Sequence, residues 1–216
     1  MSERAGDGGP ILYIGSKSYS SWSLRPWLVL KQAGAAFSER KIALHRPDTE
    51  ERVRAVSPSG YVPLLREGDL LVWDSLSICE YLAERFPAAG LWPADRAARA
   101  VARSVSAEMH AGFPALRKHL SFNCRTRFPG FQVPPEARED ADRVLTLWTD
   151  LRARFGKEGP FLFGSFSVAD AMYAPVVLRF QTYDVKLDGA AAAYASAVLE
   201  LPAVRQWIAE ARQETE

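Results

Sequence analysis

Two adjacent hydroxyl side chains, Ser20 and Ser21, stand where an apolar run gives way to a helical pattern. The run at 11–14, Ile-Leu-Tyr-Ile, is rich in β-branched and aromatic residues and predicts a buried strand. Apolar residues recur at helical spacing from Leu24 onward, and Pro26 must lie in the first helical turn because it has no N–H to donate. The two hydroxyls therefore lie just before a helix N-terminus.

A helix N-terminus is a favourable place for an anion, because its first N–H groups are unpaired and the positive end of the helix dipole lies there. A serine hydroxyl at the same place can also donate to a negatively charged sulfur or oxygen. Serine is, in addition, a preferred N-cap residue. The pattern thus leaves two interpretations open for Ser20 and Ser21: a site that holds an anion, or a cap that only begins the helix.

The composition narrows the range of functions. A net charge of +1 over 216 residues gives no reason to expect a nucleic-acid partner. Cys79 and Cys124 are far apart and lack metal-type spacing, so neither a disulfide scaffold nor a metal site is indicated. Residues 1–10 lack the apolar segment of a signal peptide, and no apolar run approaches membrane-spanning length. We therefore expect a soluble, cytoplasmic protein without a membrane partner.

Strands and helices alternate in the first part of the chain. The predicted strands are 11–14, 37–44, 61–65 and 70–73. The predicted helices of this part begin near residues 22, 48 and 74, and Pro87 ends the last of them. From about Ala94 the strand signals stop, and helices are predicted at 96–120, 135–155, 167–183, 190–197 and 202–213. We expect an α/β domain of order βαβαββα at 1–90 and an all-α domain at 91–216.

Four motifs, in this order, resemble those of the soluble glutathione transferases. They are Ser-Ser-Trp-Ser-Leu-Arg at 20–25, Val-Pro-Leu at 62–64, Asp-Ser at 74–75 followed by Cys-Glu-Tyr-Leu at 79–82, and Ser-Val-Ala-Asp at 167–170. The chain is most similar to the zeta-like bacterial group, which includes maleylacetoacetate and maleylpyruvate isomerases. That group has a cysteine in the first motif where this chain has Trp22, and the difference argues against an isomerase and against a disulfide reductase.

The resemblance implies a thioredoxin-like first domain, a helical second domain, and glutathione as co-substrate without a metal. Ser20 and Ser21 are both candidates for the catalytic residue that holds the glutathione thiolate, and Tyr19 is a third. A free thiol has a pKa of about 8.5, and lowering it by about two units requires about 2.7 kcal/mol. A hydrogen bond to a charged group supplies roughly 1.5–3 kcal/mol, and a helix N-terminus about 0.3–1 kcal/mol. One serine at the helix start is therefore sufficient in magnitude.

The same resemblance implies a set of glutathione-binding residues. Val62 should offer its backbone groups to the cysteinyl part, with Pro63 joined by a cis bond; the alternative is an ordinary trans proline at a strand start. Asp74 and Ser75 should hold the γ-glutamyl end, although Asp74 is equally suited to capping its helix. Arg46 resembles a basic position that contacts the glycine carboxylate in some classes, or it is a solvated surface charge.

The second substrate is expected between the two domains, where pockets commonly form. We expect an electrophile pocket lined by Met109, Phe113, Phe122, Asn123, Arg125 and Arg179. Each has an alternative assignment, the aromatic residues to the core and the arginines to the surface. Ser167 and Asp170 form a capping box that serves folding. His110 and His119, nine residues apart on one predicted helix, lie on opposite faces, so a shared metal site is not expected.

Three functions follow as hypotheses. The leading one is a glutathione S-transferase that activates the thiol of glutathione with an active-site serine, for attack on a small hydrophobic electrophile. One alternative is glutathione-dependent cis–trans isomerisation of a maleyl-type substrate. Another is a non-catalytic protein of the same fold that binds ligands. The resemblance also implies a homodimer, whereas the sequence does not identify the electrophile.

Overall fold

A computed structural model describes residues 9–215, so most of the charged leader lies outside the described residues. The strands are β1 (Ile11–Gly15), β2 (Ser38–Ile42), β3 (Leu64–Glu67) and β4 (Leu70–Trp73). They form one sheet in the order β2-β1-β3-β4, in which β1 is parallel to β2 and antiparallel to β3, and β4 is antiparallel to β3. The helices of this part are α1 (Ser21–Gln32), α2 (Thr49–Arg54) and α3 (Ser75–Arg85). The predicted order βαβαββα is confirmed.

The central and edge strands differ in sequence for a physical reason. Leu12 and Ile14 of β1 are fully buried, as are Leu24 and Leu28 of α1, which packs against β1 and α3. β2 is instead an edge strand, and four of its five residues are exposed. Charged side chains on an edge strand deter pairing with other chains. This explains why the Ser-Glu-Arg-Lys sequence of β2 is compatible with a strand.

The second part of the chain is helical within the described residues. Its helices are α4 (Arg96–Ala111), α5 (Pro114–His119), α6 (Pro135–Phe155), α7 (Val168–Thr182), α8 (Gly189–Glu200) and α9 (Pro202–Arg212). A single helix over 96–120 was the wrong prediction, because the helix ends at Ala111. Phe113 adopts a left-handed conformation with φ 59°, and Pro114, which has no N–H to donate, begins the next helix. His110 and His119 therefore lie on different helices.

Helix α7 connects the two parts of the structure. It is buried along nearly its whole length because it packs against α1, α4 and α8. At its start the carboxylate of Asp170 accepts hydrogen bonds from the N–H of Leu162 (3.0 Å), from the N–H of Ser167 (2.8 Å) and from the Ser167 hydroxyl (2.9 Å).

Of the helices within residues 9–215, none combines the length and apolar character needed to cross a bilayer.

Candidate active site

Two adjoining cavities open beside the N-terminus of α1, and together they form one elongated cleft. Their volumes are about 250 and about 680 Å³, and both walls include Trp22, Ser59, Tyr61 and Val62. The smaller cavity is completed by Pro63, Trp73, Asp74, Ser75 and His110. The larger one is completed by Tyr19, Ser20, Gly60 and the segments 44–47, 49–50 and 53–54. The cleft thus extends from the start of α3 to the loop before α2.

The two adjacent serines have different surroundings. Ser20 lines the larger cavity, and its Oγ accepts a hydrogen bond from the N–H of Ser23 (3.3 Å), which makes it the N-cap of α1. The same oxygen donates to the hydroxyl of Ser23 at 2.7 Å. Ser21 lines neither cavity, and its Oγ accepts from Arg179 Nη2 at 3.2 Å. Ser20 is therefore both the cap and the hydroxyl in the cleft, whereas Ser21 contacts α7.

The turn before β3 adopts the expected backbone geometry. The Val62–Pro63 peptide bond is cis, as the sequence predicts. Val62 lies on the wall that the two cavities share, and Pro63 lies on the wall of the smaller one. This places the turn at the middle of the cleft, on the same cavity wall as Ser20.

At the other end of the cleft, Asp74 and Ser75 begin α3. Asp74 Oδ1 caps the helix by accepting from the N–H groups of Leu76 (2.9 Å) and Ser77 (3.4 Å). Asp74 Oδ2 lies 3.1 Å from Nε2 of His110, which comes from α4. The hydroxyl of Ser75 is buried and has no hydrogen-bond partner within the described part of the chain. A carboxylate, a helix N-terminus and an unpaired hydroxyl thus meet at this end.

His110 contributes a further unpaired atom here. Because a carboxylate only accepts hydrogen bonds, His110 Nε2 carries the proton in its contact with Asp74, and Nδ1 of a neutral imidazole is an acceptor. Nδ1 is buried and, among residues 9–215, has no partner. The ring also packs edge-to-face on Trp22, with centroids 5.3 Å apart. Acceptors on Asp74 and His110 together with the donor on Ser75 are complementary to an ammonium group and a carboxylate.

The loop before α2 forms the opposite end of the cleft. Arg46 is exposed on the wall of the larger cavity, and its N–H donates to Thr49 Oγ1 at 3.0 Å. His45, at φ 60°, packs edge-to-face on Tyr19 with centroids 5.2 Å apart. The Tyr19 hydroxyl accepts from Arg125 Nη2 at 2.8 Å, so it is already engaged in a hydrogen bond.

Both halves of the chain match one protein family. Residues 19–85 match the glutathione S-transferase N-terminal domain, and residues 99–210 match the glutathione S-transferase C-terminal domain. The chain belongs to the glutathione S-transferase family. Maleylacetoacetate isomerase from Rattus norvegicus is 32% identical over 184 residues, which are 83% of this chain and 82% of the rat protein. Glutathione S-transferase 1 from Dianthus caryophyllus is 39% identical over 92 residues, which are 42% of this chain and 40% of the plant protein.

The fold agrees with the family that the two domain matches indicate. The solved structure of a bacterial maleyl pyruvate isomerase, a zeta-class glutathione S-transferase, superimposes with a TM-score of 0.74 at 23% identity and covers 95% of this chain and 99% of that chain. The thioredoxin-like sheet followed by a helical domain is therefore confirmed. The similarity to maleylacetoacetate isomerases supports the predicted zeta-like group. Some alignments, including the one with the plant protein, span less than half of the relative's length.

The apolar residues predicted for the electrophile pocket line neither of the two cavities described above. Met109, Phe113 and Phe122 are buried in the hydrophobic core, and none is among the described residues that line the two cavities. Phe113 occupies the break between α4 and α5. The break separates this residue from α4, whereas the sequence had placed it on one long helix over 96–120.

The polar residues of the same set also lie outside the two cavity walls, where they hold other groups in place. Arg179 donates to the carbonyl of Leu120 and, as described above, to Ser21. Arg125 joins the Tyr19 hydroxyl to the carbonyl of Glu214, which it contacts at 2.8 Å. Asn123 accepts from the N–H of Arg125 at 3.1 Å. These contacts give the side chains a supporting position behind the cleft.

The four aromatic-ring residues of the smaller cavity were not assigned to it from the sequence: Trp22, Tyr61, Trp73 and His110. Tyr61 and Trp73 are 77% and 48% exposed, which is unusual for large aromatic side chains. Both directly precede predicted binding residues, so proximity in sequence to Val62 and Asp74 was an available signal. His110 had no such signal, because its contact with Asp74 joins two domains.

A group of cations lies behind Trp22. The guanidinium of Arg25 lies 4.0 Å from the Trp22 ring centroid and is 1% exposed. Its Nε and Nη1 have no partner within residues 9–215. Burial, with the nearby charge of Arg179, lowers the pKa of Arg25 to about 9. The guanidinium of Arg117 lies 5.7 Å from the same ring. The wall behind Trp22 is therefore positively charged and only partly paired.

Proposed function

We propose that this glutathione S-transferase binds glutathione in the cleft and activates its thiol with Ser20, for attack on a small hydrophobic electrophile. The observation that carries the proposal is the position of the Ser20 hydroxyl. It caps α1 and lies on the same cavity wall as the cis Val62–Pro63 turn. Ser21 is the weaker candidate because its hydroxyl is bonded to Arg179.

Glutathione is proposed to lie along the cleft with its γ-glutamyl end at α3. Its carboxylate accepts from the Ser75 hydroxyl beside the positive end of α3, and its ammonium faces Asp74. The backbone of Val62, turned by Pro63, pairs with the cysteinyl part. The glycine carboxylate lies near Arg46. The unpaired Ser75 hydroxyl supports this orientation, because a buried donor without a partner is costly unless a ligand satisfies it.

The chemistry requires one redirected hydrogen bond. The Ser20 O–H, which donates to the Ser23 hydroxyl in this structure, rotates to donate to the sulfur, while the N–H of Ser23 continues to donate to Ser20 Oγ. The thiol proton passes to solvent, and the thiolate is held by the hydroxyl and the positive end of α1. The sulfur then forms a C–S bond to the electrophile as the bond from that carbon to its leaving group breaks, and the leaving group departs with the bonding electron pair.

The electrophile is proposed to bind between the domains assigned to 1–90 and 91–216. Trp22, which lines both cavities, provides apolar surface next to the expected position of the sulfur. The six pocket residues predicted from the sequence remain a proposal, with a supporting role behind this wall. A cytoplasmic homodimer, typical of the family, is also proposed, and light scattering coupled to size exclusion tests the dimer directly.

A second candidate is glutathione-dependent isomerisation of a maleyl-type substrate. The observation in its favour is the pair of cations beside Trp22, Arg25 and Arg117, in which Nε and Nη1 of Arg25 have no partner within residues 9–215. A dicarboxylate complements such a pair, whereas a neutral aryl electrophile does not. Turnover of a maleyl-type substrate against an aryl halide, each with glutathione, separates the two functions.

The test of the proposed function is the pKa of bound glutathione, followed by thiolate absorbance across pH. Ser20→Ala should raise the thiol pKa by about one unit or more and lower kcat/KM about tenfold to 100-fold, because a hydrogen bond to a charged group is lost. Ser21→Ala is the matched control and should change the thiol pKa by less. If neither variant raises the pKa, the serine mechanism is wrong. If bound glutathione keeps the pKa of the free thiol even in the unaltered protein, a ligand-binding function is favoured.

A further inference from the structure

The loop that carries the Ser20 hydroxyl is held by a carboxylate from the other end of the described chain. Glu214 follows α9, and its side chain is 4% exposed. Its Oε1 accepts from the N–H of Lys17 at 2.8 Å, and its Oε2 accepts from the N–H of Ser18 at 2.9 Å and from the Ser18 hydroxyl at 2.6 Å. Lys41 adds an ion pair at 3.2 Å. One side chain therefore fixes two consecutive backbone amides of the loop between β1 and α1.

The charge of Glu214 is maintained by these contacts. Burial works to raise the pKa of its carboxyl group, but the hydrogen bonds from Ser18 and Lys17 and the contact with Lys41 outweigh burial and lower that pKa. Consecutive backbone N–H groups are a good receptor for a negative charge. The two consecutive amides of this turn therefore favour the ionised form of the Glu214 carboxylate.

Further contacts join the same loop to α9. Trp207 Nε1 donates to the carbonyl of Lys17 at 3.0 Å, and the hydroxyl oxygen of Ser18 lies 3.1 Å from the carbonyl oxygen of Ala211. The ammonium of Lys17 is buried between Glu39, at 2.8 Å, and Glu210. Lys17 and Ser18 are only 4% and 0% exposed. The loop is therefore anchored on the side that faces away from the cleft.

The anchored residues lead directly into the cleft wall. Tyr19 and Ser20 follow Ser18 in the chain, and both line the larger cavity. Glu214 also reaches Tyr19 by a second route, since its backbone carbonyl accepts from Arg125, whose other nitrogen donates to the Tyr19 hydroxyl. A shift of the Lys17 and Ser18 amides would thus move the N-cap hydroxyl. In an active site, a displacement of about 1 Å can cost as much as about 100-fold in rate.

We infer that Glu214 is a positioning residue of the thiol site: its carboxylate fixes the loop before α1 so that the Ser20 hydroxyl lies where the glutathione sulfur binds. This inference rests on the proposed function. Glu214 itself does not touch the cleft, so it acts through Lys17, Ser18 and the backbone that follows. It should therefore affect the thiol and not the binding of the tripeptide as a whole.

The experiment compares Glu214→Gln with Glu200→Gln, a matched substitution at an exposed glutamate at the end of α8. Two ligands are used: glutathione, whose thiol pKa is followed by thiolate absorbance, and S-methylglutathione, in which a methyl group blocks the sulfur. Glu214→Gln should raise the bound thiol pKa by about half a unit or more and lower kcat/KM about fivefold to tenfold. Its Kd for S-methylglutathione should stay within about twofold of the original. Glu200→Gln should change none of these.

A second variant keeps the test decisive if Glu214→Gln is poorly stable. Ser18→Ala removes one donor to Glu214 while the two backbone amides still hold the carboxylate, so it should raise the thiol pKa in the same direction by a smaller amount. A folded Glu214→Gln protein with a lower melting temperature but an unchanged thiol pKa would overturn the inference and leave the proposed function intact. An unaltered protein that does not lower the thiol pKa would overturn both.

Discussion

The cleft has two walls whose residues come from differently organised regions of the chain. On the wall of the first domain, Ser20 caps α1, Val62 precedes the cis proline, and Asp74 caps α3. Each of these positions is determined by backbone geometry within a few residues. The positions of these cap and turn residues in the structure could therefore be predicted directly from the sequence.

The wall contributed by the helical domain has no such local rule. His110 reaches Asp74 from the last turn of α4, and Arg117 and Arg179 lie behind Trp22 from α5 and α7. Their places depend on where α4 ends and on how α7 packs against α1. The two walls therefore differ in how their residues are positioned, by local backbone geometry on the first and by long-range packing on the second.

The largest effect is expected from Asp170, which has a folding role within the helical domain. Its carboxylate is fully buried and accepts three hydrogen bonds, from Leu162 and from Ser167. Asp170→Ala leaves these buried donors unpaired, so the free energy of unfolding should fall by about 3 kcal/mol, at about 1 kcal/mol or more for each donor. Chemical denaturation measures this loss.

The matching control separates stability from catalysis. At a temperature where Asp170→Ala is still folded, the pKa of bound glutathione should be unchanged, because Asp170 lies on neither cavity wall. Unchanged stability in this variant would contradict the capping role. A changed thiol pKa would contradict a role of Asp170 that is confined to folding.

Arg25 is the test of the cationic wall. Arg25→Met removes a buried guanidinium with unpaired nitrogens and keeps much of its volume, so the free energy of unfolding should not fall. Inhibition by maleate, used as a small dianion, should weaken about tenfold to 100-fold, because hydrogen bonds to a charged group are lost. The measurement is the maleate Ki with an aryl halide as electrophile.

Arg103→Met is the control for this change. Arg103 is half-exposed and paired with Glu80, so its loss should leave the maleate Ki unchanged. Equal maleate inhibition in the unaltered protein and in Arg25→Met would exclude a role of Arg25 in holding an anion, and with it the observation that favours the isomerase.

His110 tests whether the helical wall contributes to glutathione binding. His110→Ala removes the partner that orients the Asp74 carboxylate, so the Kd for glutathione should rise about fivefold to tenfold, which is the value of one hydrogen bond. Isothermal titration measures the Kd. His119→Ala is the control, since His119 pairs with Glu136 at 3.0 Å away from the cleft. Equal effects of both variants would contradict a specific role for His110.

The sequence predicted the fold well because strand alternation, proline positions and caps are local signals. It placed Asp170 in its capping box for the same reason, whereas the cis bond at Pro63 was implied by the resemblance to the glutathione transferases. It left Ser20 and Ser21 undecided, because the difference between them is a contact from Arg179, 158 residues away from Ser21. The pocket prediction for Phe113 depended on one continuous helix, and the break before Pro114 removed that basis. Long-range packing, not local propensity, determined these outcomes.

The smallest effect is expected at Arg46, at the exposed end of the first wall. Its side chain is solvated, so an ion pair with the glycine carboxylate should contribute only about 0.5–1 kcal/mol. Arg46→Ala should therefore raise the Kd for glutathione about twofold to fivefold. Because exposed charges are screened over about 8–10 Å at ordinary ionic strength, the difference should shrink as salt is added. Arg52→Ala, an exposed arginine of α2 outside the cavity wall, should show no difference at any salt concentration. A salt-independent loss in Arg46→Ala would mean that the loop itself had moved, since the backbone N–H of Arg46 is bonded to Thr49 and loop geometry does not respond to screening.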